Sequence, residues 1–173
     1  MPELVKSMIR EVPDFPKPGI NFKDITTALK EAETFKRIID FLTAEYKDKG
    51  IDYVAGIESR GFMFGAPLAY NIGAGFIVIR KPGKLPAEVE SVTYDLEYGS
   101  DSIEIHSDAI EVGKKVLIID DLLATGGTAA AACQLVQKVG GKVESIAFVI
   151  ELDFLNGREK LPQGIEVVSM IKY

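Results

Sequence analysis

Short apolar runs alternate with helical stripes along this chain. Phe35, Ile38, Ile39, Leu42 and Tyr46 recur at three- and four-residue spacing, which predicts an amphipathic helix that stops near Gly50. Leu4, Val5, Met8 and Ile9 share one helical face and predict a shorter helix at the N-terminus. Residues 13–19, PDFPKPG, cannot be helical and read as an extended loop. Compact runs at 52–57, 75–79, 116–119, 143–152 and 166–171 read as buried strands. Residues 62–70 and the Ala-rich stretch 129–136 read as helices between them. Two segments, 91–96 and 102–106, instead alternate polar and apolar, which predicts an exposed β-hairpin with its tip at 97–101. Strands alternating with helices through short loops give an α/β fold with a mostly parallel twisted sheet flanked by helices.

The most informative stretch is 116–128, VLIIDDLLATGGT. A buried strand is expected to end at Asp120 and Asp121, followed by a Gly-Thr turn and the start of the Ala-rich helix. A helix start offers unpaired N–H groups and the positive end of the helix dipole, so it favours anions. Gly126 and Gly127 allow close backbone approach, and Thr125 and Thr128 add hydroxyl donors. No G-x-x-x-x-G-K-[ST] pattern is present, so a phosphate monoester suits the turn better than a triphosphate. Two adjacent carboxylates at ~5 Å repel by roughly 3 kcal/mol at an effective dielectric of ~20, and vicinal sugar hydroxyls would satisfy both. Residues 56–62, GIESRGF, repeat the layout of strand, polar loop and helix. Loops at the carboxyl ends of parallel strands gather on one sheet edge, where ligands bind. Arg60, with the backbone at Ser59 and Gly61, could hold a second anion there, or Arg60 could pair with Glu58.

Composition narrows the setting. At 173 residues the chain is long enough for one domain with a real core, and its 47% hydrophobic and 27% charged content is ordinary for a globular protein. A net charge of −6 argues against general affinity for nucleic acid or acidic membranes. No apolar run is long enough to span a bilayer, and Glu3, Lys6 and Arg10 break any apolar signal core, so a cytoplasmic protein is expected. Cys133 is the lone cysteine and is expected to be packed; His106, the lone histidine, is expected at the surface of a strand. Against the acidic background, Arg80, Lys81 and Lys84 form a cationic cluster after a strand.

Asp120 and Asp121 with Ala124, Thr125, Gly126, Gly127 and Thr128 resemble the PRPP motif of type I phosphoribosyltransferases. Together with GIESRGF and residues 80–86, RKPGKLP, the pattern is similar to the adenine-using branch of that family, from about Val12 to the C-terminus. The resemblance implies one phosphoribosyltransferase domain over 1–173, with a small N-terminal hood within about 1–30 and a β-hairpin lid at about 81–106. It implies that Ala124 to Thr128 bind the 5′-phosphate, Asp120 and Asp121 the ribose, and Ser59, Arg60, Arg80, Lys81 and Lys84 the pyrophosphate. The pyrophosphate loop of such enzymes often carries a strained or cis peptide. Asn21, Phe22, Lys23 and Leu152 match the adenine side, and Glu97 and Tyr98 the functional pair of the lid; with Arg60 these are the candidate catalytic residues.

The family places the residue matching Arg80 in the partner subunit's site, which implies a homodimer. The implied reaction joins adenine and PRPP to give AMP and pyrophosphate, a purine salvage step. The implied cofactor is Mg²⁺, with no dedicated protein site: PRPP oxygens and water hold it near Asp120 and Asp121. The alternatives are transfer to an oxopurine, or a sensor that binds PRPP without turnover.

Overall fold

The computed structural model describes residues 2–96 and 98–173. The chain runs α1 (Pro2–Met8), β1 (Arg10–Val12), β2 (Phe22–Asp24), α2 (Thr26–Leu29), α3 (Ala32–Tyr46), β3 (Tyr53–Ile57), α4 (Arg60–Ile72) and β4 (Gly75–Ile79). It continues with β5 (Val89–Asp95), β6 (Ser100–His106), β7 (Lys115–Leu123), α5 (Gly127–Lys138), β8 (Lys142–Glu151) and β9 (Glu166–Lys172). Two 3-10 turns, Asp153–Leu155 and Gly157–Lys160, connect the last two strands.

Five strands form a parallel sheet in the order β4-β3-β7-β8-β9. Side chains alternate across it as the pleat requires. Leu117, Ile119, Ala147 and Val149 join the core with α3 and α4, whereas Val116, Ile118, Ile146 and Phe148 join the core that contains the buried face of α5. Both faces of β7 and β8 are therefore covered, which is why their sequences read as unbroken apolar runs. Cys133 is buried within the second core. Tyr46 closes the first core, with its hydroxyl 2.9 Å from Ser145 Oγ.

The two smaller sheets are antiparallel pairs. β1 and β2 bring the N-terminal segment together, and β5 and β6 form the hairpin expected from their alternation. Of the N-terminal stripe, Val5 and Ile9 are buried and Leu4 is exposed.

In three places the structure differs from the sequence reading. β7 does not end at the acids but runs on to Leu123, because β8 continues to pair with it: Asp120 lies opposite Phe148, Leu122 opposite Ile150 and Leu123 opposite Glu151. Helix α4 begins at Arg60 itself rather than after a loop. His106 is half-buried, not a surface residue, and its Nε2 is enclosed without a hydrogen-bond partner.

β3 and β7 are neighbours, yet the chain leaves them toward opposite faces, through α4 on one side and α5 on the other. The carboxyl ends of two such strands frame a crevice, the usual ligand position in an open α/β sheet.

Candidate active site

Two cavities lie in that crevice and share Arg60, Asp120 and Asp121. The first, about 200 Å³, is also lined by residues 122–129 and Phe148. The second, about 280 Å³, is completed by Glu58, Ser59 and Lys81. The acids and Arg60 thus form a wall between a backbone-lined end and a mixed-charge end.

The first end is made by the start of α5. Gly126 takes φ +86° at the cap position, and no side chain caps the helix. The first helical bond runs from Ala130 N to Gly126 O at 3.0 Å, so the amides of Gly127, Thr128 and Ala129 have no partner inside the helix. A methyl group on Gly126 would run into the Gly157 carbonyl, and one on Gly157 would run into the Ala124 carbonyl. Glycine is required at both positions by close backbone packing, and at Gly126 also by its left-handed φ. Thr128 Oγ1 lies 3.0 Å from the Tyr94 hydroxyl of the hairpin.

Asp120 and Asp121 are successive residues near the end of β7, and both line both cavities beside the start of α4. Asp121 is only 6% exposed. Its carboxylate accepts from Arg60 Nε, so the Glu58 pairing considered for Arg60 does not form. Asp120 Oδ1 accepts the Asp121 N–H at 2.8 Å. Burial, and then the neighbouring Asp121 charge, push the Asp120 carboxyl well above the usual carboxylate range. Burial works against the Arg60 charge, but the Asp121 carboxylate outweighs it and raises the guanidinium further. Gly61 lets α4 come this close: a Cβ there would sit 2.7 Å from Ile119 O and 3.3 Å from Asp120 Oδ1.

At the other end the Glu58–Ser59 peptide is cis. Glu58 accepts from Lys81 N at 2.8 Å and from Arg80 Nη2 at 3.1 Å. The Lys81 amide and then Arg80 hold its carboxyl below the usual range. Lys81 lines the cavity while its ammonium pairs with Asp101 on β6. Arg80 and Lys84 line neither cavity of the single chain.

A third, more open cavity of about 670 Å³ is lined by Lys17, Asp95, Leu96, Tyr98, Thr125 and Lys160. It joins the N-terminal loop, the hairpin tip and the α5 turn, with Lys17 Nζ 5.1 Å from the Tyr98 ring centroid. Glu97 lies outside the described residues.

None of the four expected base-side residues lines any of the three cavities. Asn21 donates to Glu11 at 2.9 Å. Lys23 donates to Glu11 at 2.5 Å and lies 4.2 Å from the Tyr173 ring, so its ammonium is not solvated. Phe22 packs edge-on against Phe15 at 5.3 Å. Leu152 donates its N–H to Leu123 O at 2.9 Å and packs on the core. Lys17, Lys160, Asp95 and Tyr94 border the crevice without having been singled out; each sits in a turn or a strand where no local pattern marks it.

Among the described residues no group of three or more His, Cys, Asp or Glu side chains is placed to hold a metal ion. Nor is any helix among them long and apolar enough to cross a membrane.

A sequence-family model described as a phosphoribosyl transferase domain matches residues 26–170. The chain is 60% identical over 169 residues to a protein named adenine phosphoribosyltransferase from Cyanothece sp., covering 98% of this chain and 99% of that one. It is 56% identical to the protein of the same name from Acidobacterium capsulatum, over 99% of this chain and 94% of that one. The crystal structure of adenine phosphoribosyltransferase from Thermoanaerobacter pseudethanolicus superposes with a TM-score of 0.96 at 55% identity, over 100% of both chains. The Saccharomyces cerevisiae enzyme, solved with an imino-altritol bisphosphate and adenine, gives 0.92 at 42% identity, over 98% of each chain.

Proposed function

The chain belongs to the phosphoribosyl transferase domain family, and on that premise we propose that it is the enzyme that transfers the phosphoribosyl group of PRPP to adenine, giving AMP and pyrophosphate in purine salvage. The observation that carries this reading is the pair of cavities meeting at Asp120, Asp121 and Arg60, with an uncapped helix start at one end and Lys81 at the other.

In this reading the 5′-phosphate rests on the amides and hydroxyls of residues 124–128, and the ribose diol donates to Asp120 and Asp121. Held at both points, the sugar stays fixed while the groups at C1′ exchange. The C1′–oxygen bond to pyrophosphate breaks and a bond from adenine N9 to C1′ forms, with positive charge building on the ring. Arg60, Lys81 and the Ser59 backbone stabilise the departing pyrophosphate, with Arg80 and Lys84 supplying further positive charge. Arg60 is shared between Asp121 and the leaving group, so the same guanidinium responds to both ends of the site.

We assign the purine N9 proton to Glu97, with Tyr98 beside it on the hairpin. Base recognition belongs to Asn21, Phe22, Lys23 and Leu152. Because Glu11 and Tyr173 engage the Lys23 ammonium, this reading gives recognition to the backbone of 21–23, on the open edge of a two-stranded sheet. The N-terminal residues to about 30 act as the hood and the hairpin segment 81–106 as the lid.

Mg²⁺ has no dedicated protein site in this reading: PRPP oxygens and water would hold it near Asp120 and Asp121, whose hard carboxylate chemistry suits that ion. When bound, it would neutralise charge on the pyrophosphate. The reading includes a homodimer, to which the exposed Met63 and Tyr70, one face of α4, could contribute apolar area, and a cytoplasmic setting, which suits the unpaired Cys133 thiol.

Turnover of adenine, hypoxanthine, guanine and xanthine with PRPP and Mg²⁺ is the test. AMP formation from adenine alone is expected. Comparable rates with an oxopurine would overturn the base assignment, and PRPP binding without turnover of any base would overturn the enzyme assignment.

A further inference from the structure

Glu151 ends β8, is 2% exposed, and lines none of the cavities of the crevice. Both of its carboxylate oxygens are taken by one guanidinium: Arg158 Nε donates to Oε1 at 2.6 Å and Nη2 to Oε2 at 2.7 Å. Lys172 Nζ stands 3.6 Å from Oε2. Arg158 also donates to Val167 O at 3.1 Å and reaches Ser169 Oγ at 3.5 Å on β9. A planar guanidinium bonded in this way fixes direction as well as distance, which an ammonium at the same place does not. Its neighbour Gly157 opens the 3-10 turn and is the residue against which the α5 turn is packed, with no room for a methyl group on either Gly126 or Gly157.

The position of the α5 turn is therefore set by the Gly157 backbone, and that backbone by the Arg158 side chain anchored on Glu151. We propose that Glu151 and Arg158 are positioning residues for 5′-phosphate binding, acting through Gly157 on the amides of the α5 turn. They touch neither substrate nor the reacting atoms. The inference rests on the reading of that turn as the phosphate site. It adds that the affinity of the site for phosphate depends on a pair lying behind it.

The test compares wild type with Arg158→Lys, Arg158→Met, Glu151→Gln and Gly157→Ala. It measures KM for PRPP, KM for adenine and kcat, with AMP and pyrophosphate binding by calorimetry and melting temperature alongside. Wild-type turnover of adenine with PRPP, and AMP binding, test the underlying reading independently of any variant. For Arg158→Met and Glu151→Gln, KM for PRPP and the AMP dissociation constant should rise about tenfold, while KM for adenine and pyrophosphate affinity stay within about twofold. Arg158→Lys should lie between, since it keeps charge but loses the fork. Gly157→Ala should give the same phosphate-selective pattern with the ion pair intact, so the proposal stays testable if an Arg158 variant fails to fold. A loss of kcat with unchanged KM for PRPP, or equal losses for AMP and pyrophosphate, would overturn it.

Discussion

The turn at residues 124–128 and the β5–β6 hairpin face the same crevice but are held by different forces. The turn follows a strand buried on both faces and is packed against the Gly157 backbone without space for a methyl group. The hairpin is anchored at its base, where Ile103 and Ile105 are buried in the core with α5 and the Arg80 backbone pairs with Glu104; its tip is held by the Tyr94 hydroxyl, the Lys81–Asp101 ion pair and the Lys17–Tyr98 contact, and ends in a Tyr98 that is 77% exposed. Exposed ion pairs contribute little stability and exchange readily. The turn proposed to hold the phosphate is thus fixed by backbone packing, and only the tip of the hairpin proposed as the lid is attached by side chains that can let go.

The largest expected effect comes from removing the charges on the rigid side. Asp120→Asn with Asp121→Asn should lower kcat/KM for PRPP by about a thousandfold, the loss of two charge-assisted contacts to the diol. Steady-state kinetics with varied PRPP checks this, and unchanged kinetics would contradict the ribose assignment. Gly126→Ala attacks the same side through shape alone. It should cost about a hundredfold in kcat/KM for PRPP, since the turn must move away from Gly157. On the hairpin side, Lys81→Met should lower kcat by only about tenfold. Because Lys81 is a partly exposed surface cation, its melting temperature should stay within about 2 °C of wild type. If Gly126→Ala proved milder than Lys81→Met, the contrast between the two regions would fail.

The smallest effect concerns acid. Hydrogen bonds from Arg158 pull the Glu151 carboxyl down to about 2, below its unfolded value near 4.5. A lowered folded-state value means that the stabilisation is complete above about 4.5, declines as pH falls and is lost near 2. Thermal melts between pH 7 and 2.5 should show wild type losing stability more steeply below about 4.5 than Glu151→Gln. Equal slopes would show that the Arg158 pair does not stabilise the fold.

Much of this design is legible in the sequence where neighbours along the chain determine the outcome. The apolar runs of β3, β4, β7, β8 and β9, the stripe of α3 and the Gly-Thr turn before α5 all announce themselves locally. What is set by a partner elsewhere does not. β7 extends past the acids only because β8 runs on beside it. Arg60 has a carboxylate two residues away at Glu58 yet pairs with Asp121, because α4 packs close against β7 at Gly61. His106 reads as a surface residue, but packing around the hairpin encloses its Nε2. Arg158 and Glu151 are seven positions apart with no shared period, and only the return of the chain between β8 and β9 makes them neighbours.

The claim at the centre is that the unpartnered amides at the start of α5 hold a phosphate while Asp120 and Asp121 hold the adjoining sugar. A crystal structure of the protein soaked with AMP addresses it most directly. Phosphate oxygens about 3 Å from the backbone nitrogens of residues 125–128, with the 2′- and 3′-hydroxyls on the two aspartates, are the expected result. AMP bound with its phosphate away from the turn, or with both carboxylates facing solvent, would contradict the account.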